Sequence, residues 1–217
     1  MAPFAASPPF ASGFAPAFAS GVASPFASGL PPYALLIELS ADFDGLDPRA
    51  LLHAELEAAL ELLAPSEAQA IYVVDSFGAL YPLQTRRLVQ KYLQHAKACG
   101  KEVGIHAHNN LQLAYANTIE AIVLGANYLD ATMAGLGRGA GNCHMELLLG
   151  LLRDPQYQLR PVLQCVAETI EPLRHELGWG FDLPYLLTGL FNQHPRAAID
   201  YNAQPETGDI GAFFDSF

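Results

Sequence analysis

Two histidines carry the sharpest chemical signal in the chain. His106-Ala107-His108 follows directly on the apolar run Val103 to Ile105. Residues i and i+2 of a strand point to the same face, so the two imidazoles stand side by side and can share one metal ion. Two polar rings at the end of a buried strand need partners, and a cation supplies one. A third, oxygen ligand completes a site with open positions, which suits Mn²⁺, Fe²⁺, Zn²⁺ or Mg²⁺ more than a closed structural zinc. Asn142, which closes a glycine-rich loop, can bring such an oxygen. Asn109 and Asn110 stand at a helix start, where they either cap the helix or orient the histidines. Asp75, in Asp75-Ser76-Phe77-Gly78, ends the preceding strand. It either shapes a turn, holds a histidine's second nitrogen, or contacts substrate.

Gly135, Gly137, Gly139 and Gly141 alternate around Arg138. Such a loop lets backbone N–H groups approach an anion, and Gly135 and Gly137 are candidate substrate contacts. The stretch also meets the loose G-x-G-x-x-A pattern. It follows the last strand rather than the first, and no acidic residue at the required offset ends another strand, so a dinucleotide fingerprint is a poor fit. It has no Lys-Ser/Thr and is no P-loop. His53, His95, His144, His175 and His194 have no partner at ligand spacing and read as surface or packing residues. Cys99, Cys143 and Cys165 include no C-x-x-C pair, and their odd number points to reduced thiols.

These residues must be placed by the elements around them. Apolar runs at 33–39, 71–74, 103–105 and 128–131 read as strands. Helices fall between them: one from Asp47-Pro48 with Leu52, Leu56, Leu60 and Leu63 at helical spacing, one over 82–99 stopped by Gly100, and one over 111–124 stopped by Gly125. Beyond the glycine loop only helices are legible, over 143–152, 161–177 with a kink at Pro172, and 182–193. Strands that are continuously apolar and alternate with helices indicate a parallel α/β sheet, open or closed into a barrel. The polar residues cluster just after the strands, the edge where such folds bind ligands.

Composition narrows the partners. The net charge is −11, which leaves no strongly basic face for nucleic acid. No apolar stretch free of helix breakers is long enough for a membrane span, and no basic n-region marks a signal peptide. A cytoplasmic setting is the expectation. Residues 1–32 contain no Asp, Glu, Lys or Arg and carry an octapeptide-like repeat, FASGFAPA, FASGVASP, FASGLPPY; the tract reads as disordered. The remaining residues divide into a folded part at 33–199 and a C-terminal tail at 200–217. Together they fall short of the usual lower bound of about 200 residues for a complete (β/α)₈ barrel.

The segment His106-Ala107-His108-Asn109-Asn110, with Leu129-Asp130-Ala131-Thr132 and Gly135 to Asn142 before Glu146-Leu147-Leu148, resembles the HMG-CoA-lyase-like metal-dependent aldolases. The similarity is greatest to the branch around 4-hydroxy-2-oxovalerate aldolase. The resemblance implies a TIM barrel of which this chain holds about strands five to eight and the closing helices. It implies that His106 and His108 match the two histidine ligands of the family's seventh strand, and Asn142 a further ligand found in some relatives. It also implies retro-aldol cleavage of a 4-hydroxy-2-oxo acid, with a divalent metal (Mn²⁺ first, or Mg²⁺, Zn²⁺ or Co²⁺) stabilising a pyruvate enolate. The family's first-strand motif, an Asp ligand and an Arg, has no match here: Asp47-Pro48-Arg49 is the only Asp-x-Arg, and it begins a helix. Two expectations follow. Either the chain pairs with a complementary barrel half or a second copy, or it is a truncated, catalytically incomplete homologue. A metallohydrolase also uses H-x-H, early in its barrel with further His and Asp ligands downstream, and no such set is present.

Overall fold

A computed structural model describes residues 34–38, 48–153, 156–203 and 208–217. The octapeptide tract and the candidate N-cap Asp47 lie outside the described residues. Strand β1 (Ala34–Glu38) leads to helix α1 (Pro48–Leu63), β2 (Ala70–Asp75), α2 (Pro82–Cys99), β3 (Glu102–Ala107), α3 (Ala114–Leu124) and β4 (Tyr128–Leu129). All strand pairs are parallel, and the sheet order is β1-β2-β3-β4. A doubly wound sheet reverses its strand order at a switch point. Here each strand is hydrogen-bonded to the next in sequence, which is the order of a singly wound barrel wall.

The period of two along the strands sorts their side chains. Ile71 and Val73 of β2 and Val103, Ile105 and Ala107 of β3 pack with Leu56 and Leu60 of α1, with Val89, Tyr92 and Ala96 of α2, and with Ala121 of α3. The alternate positions, Tyr72, Val74, Gly104 and His106, face the other way. Tyr72 and Tyr128 stack across Gly104 with ring centroids 6.2 Å apart. His106 therefore belongs to the face that a closed barrel turns inward.

Helix α2 begins at Pro82, and the Gln84 side chain accepts from the Tyr81 N–H at 2.8 Å. Helices α2 and α3 end at Gly100 and Gly125, both left-handed. The third helix starts at Ala114, not 111: Gln112 sits at φ +59, which breaks the helical turn. The last strand is shorter than expected: Thr132 stays extended but bridges His144 rather than continuing the ladder with β3.

Helices α4 (Met145–Leu152), α5 (Leu159–Cys165), α6 (Glu171–Leu177) and α7 (Leu183–Leu190) follow. Between α5 and α6 the chain stays helical but widens into a π-turn over Val166–Ile170. Pro172 lacks the N–H a regular helix needs, and the widened turn stands directly before it, where the sequence reading placed an irregularity. Residues 200–217 are not simply a tail. Helix α8 (Arg196–Asn202) runs into them, and α9 (Ile210–Asp215) docks through aromatics, with Phe213 against Tyr201 at 4.6 Å and Phe217 stacked on Phe191 at 5.0 Å. Ile210, Phe213, Phe214 and Phe217 stand at i, i+3, i+4 and i+7, a helical spacing that was available in the sequence. No described helix is long and apolar enough to cross a membrane.

Candidate metal centre

The site is assembled at the C-terminal ends of β2, β3 and β4. His106 is paired with Val74 in the register of β2 and β3, and His108 lies two residues further along the same line. Their rings meet edge to face, with centroids 4.9 Å apart. The structure thus brings together the two imidazoles that the sequence spacing selects.

Each ring is held through its Nδ1. His106 Nδ1 lies 3.1 Å from Asp130 Oδ2, and His108 Nδ1 lies 2.9 Å from the Asp75 carbonyl oxygen. A carboxylate and a carbonyl oxygen accept, so Nδ1–H donates in both rings. The neutral tautomer this selects carries its lone pair on Nε2.

The glycine loop folds back over the strand ends. Asn142 forms an antiparallel bridge with His108, and the Asn109 N–H donates to the Gly141 carbonyl at 2.9 Å. The Asn142 amide nitrogen donates to the Leu136 carbonyl at 2.9 Å. Its Oδ1 is buried and has no hydrogen-bond partner among the described residues. A buried amide oxygen without a donor is costly, and here the orphaned acceptor sits on the residue bridged to His108. A Cβ on Gly137 would lie 2.4 Å from Asn142 Nδ2, and one on Gly135 would lie 2.6 Å from His144 Nε2 and 3.0 Å from the Asn142 carbonyl oxygen. The two glycines make room for the side chain and backbone of the Asn142 segment. The N–H groups of Gly135, Leu136, Gly141 and Asn142 are spent on the carbonyls of Thr132, Met133, Arg138 and Gly135, so these four are not offered to an anion.

Asp75 and Asn110 take structural posts. The Asp75 carboxylate accepts from Ala79 N–H at 3.0 Å and Leu80 N–H at 3.1 Å, closing the turn after β2. It is the backbone carbonyl of Asp75, not the side chain, that takes the second nitrogen of a histidine. Burial lifts the Asp75 carboxyl to about 6, against those N–H donors and His106, which pull it down. Asn109 Oδ1 accepts from Ala114 N–H at 3.2 Å and so caps α3. Asn110 is buried and donates to the Tyr185 carbonyl at 3.2 Å, tying the β3 loop to α7.

Two residues near the site escaped the sequence reading. Asp130 lies one step beyond the β4 register Ile105↔Leu129, which places it beside His106; a polar residue directly after the strand next to H-x-H was the available signal. His144, half-buried, takes a packing post rather than a free surface position. It is the N-cap of α4, its Nδ1 lies 3.0 Å from Glu146 Oε1, and Glu146 Oε2 accepts from Ala134 N–H at 3.1 Å. His194 packs edge-on against Phe77 at 5.5 Å. Among the described residues no group of three or more His, Cys, Asp or Glu stands ready to hold a metal. The pair of histidines with an asparagine oxygen is a set of neutral donors.

The chain is similar to known proteins over this same region. The family described as HMGL-like matches residues 40–167, more than half of the chain. Oxaloacetate decarboxylase of Mycobacterium tuberculosis is 47% identical over 83 residues, 38% of this chain and 24% of that protein. 4-Hydroxy-2-oxovalerate aldolase of Geobacillus stearothermophilus is 45% identical over 92 residues, 42% of this chain and 26% of that protein. The same-named protein of Bacillus thuringiensis is 38% identical over 117 residues, 52% of this chain and 33% of that protein. The chain thus spans about a quarter to a third of the length of these relatives. Among solved structures, the N-terminal domain of a candidate aldolase from Bacteroides vulgatus superposes with a TM-score of 0.61 at 30% identity, covering 85% of this chain and 56% of that one. The carboxyl transferase domain of Rhizobium etli pyruvate carboxylase shares the fold, with a TM-score of 0.53 at 19% identity, over 84% of this chain and 32% of that one. With a singly wound parallel sheet, H-x-H at the end of its third strand and a matched region covering both, the chain belongs to the HMGL-like family.

Proposed function

We propose that this chain carries the cation-binding half of a divalent-metal-dependent carbon–carbon lyase that cleaves a 4-hydroxy-2-oxo acid. One observation carries the reading: Asn142 Oδ1, buried without a donor, sits on the residue bridged to His108, whose ring lies against that of His106. An orphaned oxygen on the residue bridged to one of two adjacent imidazoles fits a divalent cation that takes mixed N and O ligands. Mn²⁺ is the first choice, and the cation, when bound, supplies Lewis-acid stabilisation to an enolate oxygen.

The relatives' names point to one chemistry. Retro-aldol cleavage of 4-hydroxy-2-oxovalerate and decarboxylation of oxaloacetate both break the bond to C3 of a 2-oxo acid, and both leave the pyruvate enolate. The parts of this chain do the holding. His106 and His108 present ring nitrogens, Asn142 presents its amide oxygen, and Gly137 keeps the space that lets Asn142 stand there. Three neutral ligands leave the cation's charge unbalanced. A carboxylate from a complementary barrel half or a second copy would complete the set, and β1 ends the sheet order among the described residues.

Coupling pyruvate release to lactate dehydrogenase tests the reading, with 4-hydroxy-2-oxovalerate and Mn²⁺ as additions. Pyruvate that depends on Mn²⁺ and is lost in His106→Ala supports it. No Mn²⁺-dependent pyruvate contradicts it. A second reading, a catalytically incomplete homologue, is favoured by the neutral donor set among the described residues. It predicts a bound cation with no turnover.

A further inference from the structure

We propose that Asp130 is the positioning residue of the site: it fixes the Nδ1–H tautomer and the ring orientation of His106, and so readies Nε2 for a divalent cation. The inference rests on the metal reading above and deepens it.

Three observations carry it. The first is contact: Asp130 Oδ2 stands 3.1 Å from His106 Nδ1. The second is anchoring. The Asp130 N–H donates to the Ile105 carbonyl at 3.0 Å, which continues the ladder between β3 and β4 past its last paired residues. The backbone that presents the carboxylate is therefore fixed to the strand that carries the histidine. The third is symmetry of roles. His108 has its Nδ1 held by the Asp75 carbonyl, a group the chain cannot lose by side-chain substitution. Among the described residues His106 Nδ1 meets no such backbone acceptor and depends on a side chain for the same service.

The other His–carboxylate pair in the fold shows the contrast. Glu146 also meets a histidine Nδ1, but its second oxygen is bound to the Ala134 N–H, and His144 Nε2 crowds the space beside Gly135. That pair clamps the loop. The Asp130 side chain is 44% exposed at the mouth of the sheet, and its charge also bears on Tyr72, whose hydroxyl is raised by burial, then by Asp130 and Tyr128. An acceptor on the second nitrogen of a metal-binding imidazole sets ring orientation and ligand basicity, and losing it costs about 10- to 100-fold in metal affinity.

The test uses the full chain labelled with ¹⁵N-histidine, free of metal at pH 8, with His106→Ala to assign the resonances. Two-bond ¹H–¹⁵N correlation reads the tautomer of His106 directly. Wild type is expected as Nδ1–H. Asp130→Ala is expected to shift His106 toward Nε2–H and to weaken Mn²⁺ binding by about 10- to 100-fold in calorimetric titration. Asp130→Asn keeps an accepting oxygen and is expected to retain both the tautomer and most of the affinity. The proposal is overturned if wild type already shows Nε2–H, if Asp130→Ala keeps Nδ1–H, or if Asp130→Ala binds Mn²⁺ as wild type does. Failure of wild type to bind Mn²⁺ at all overturns the metal reading instead. The tautomer result, taken without metal, tells the two failures apart.

Discussion

Asp75→Asn separates the charge of a buried carboxylate from its shape. The side chain is 5% exposed, and burial lifts its carboxyl from 3.8 to about 6. The folded chain therefore holds this proton more tightly than the unfolded chain. Its stabilising effect is complete below the unfolded value and is lost as pH rises through about 6. Across the full range the ionised fold is about 3 kcal/mol less stable than the neutral one, and about 1.4 kcal/mol of that falls between roughly pH 5 and pH 7.5. Asparagine has no proton to titrate. It can accept only one of the two N–H groups from Ala79 and Leu80, an offset of about 1–3 kcal/mol that does not change with pH. Trp179, the chain's one tryptophan, is buried and donates to the Ala134 carbonyl at 2.9 Å, so its fluorescence follows unfolding. Urea melts of both proteins should show the stability of wild type relative to the variant falling by about 1.4 kcal/mol from roughly pH 5 to pH 7.5. A difference that stays constant with pH, or grows, refutes the assignment of a raised, burial-dominated carboxyl to Asp75.

Other substitutions probe the site and the core. Gly137→Ala places a Cβ 2.4 Å from Asn142 Nδ2. It should break the bond to Leu136, at a cost of about 1 kcal/mol in a thermal melt, and weaken Mn²⁺ binding at least as much as Asn142→Ala does. The Tyr92 hydroxyl is buried without a partner, and burial pushes its ionisation well up; Tyr92→Phe should raise unfolding stability by about 1 kcal/mol. Leu60 is wholly buried between α1 and the sheet, and Leu60→Ala should lower stability by about 2–5 kcal/mol in the same melts. Phe191 stacks on Phe217 and tilts against Phe214. Phe191→Ala should undock α9 and expose 208–217 to limited proteolysis before the barrel wall unfolds.

The sequence reading reached the parallel sheet because β2 and β3 are runs of apolar, β-branched residues bounded by Gly, Asp and Ser. It reached the helix ends at Gly100 and Gly125 because a glycine follows the last apolar turn. It reached His106 and His108 because the period of a strand is two. What it missed depends on contacts between distant segments. The structural post of Asn110 is set by Tyr185 on α7, and the role of Gly137 by the side chain of Asn142. Asp130 gains its meaning only from the register of β4 on β3. The start of α3 moved because Gln112 adopts a positive φ that its residue type does not announce. Helix α9 was legible from Ile210, Phe213, Phe214 and Phe217 at helical spacing, and only its docking on Tyr201 and Phe191 depends on distant contacts.

Titration of the metal-free full chain with Mn²⁺, by calorimetry and by loss of the free-ion EPR signal, tests the central claim most directly. The account predicts one cation per His106–His108 pair, with binding abolished in His106→Ala and in His108→Ala and weakened in Asn142→Ala. Binding that survives both histidine substitutions, or wild-type protein that leaves the Mn²⁺ signal unchanged, would contradict it.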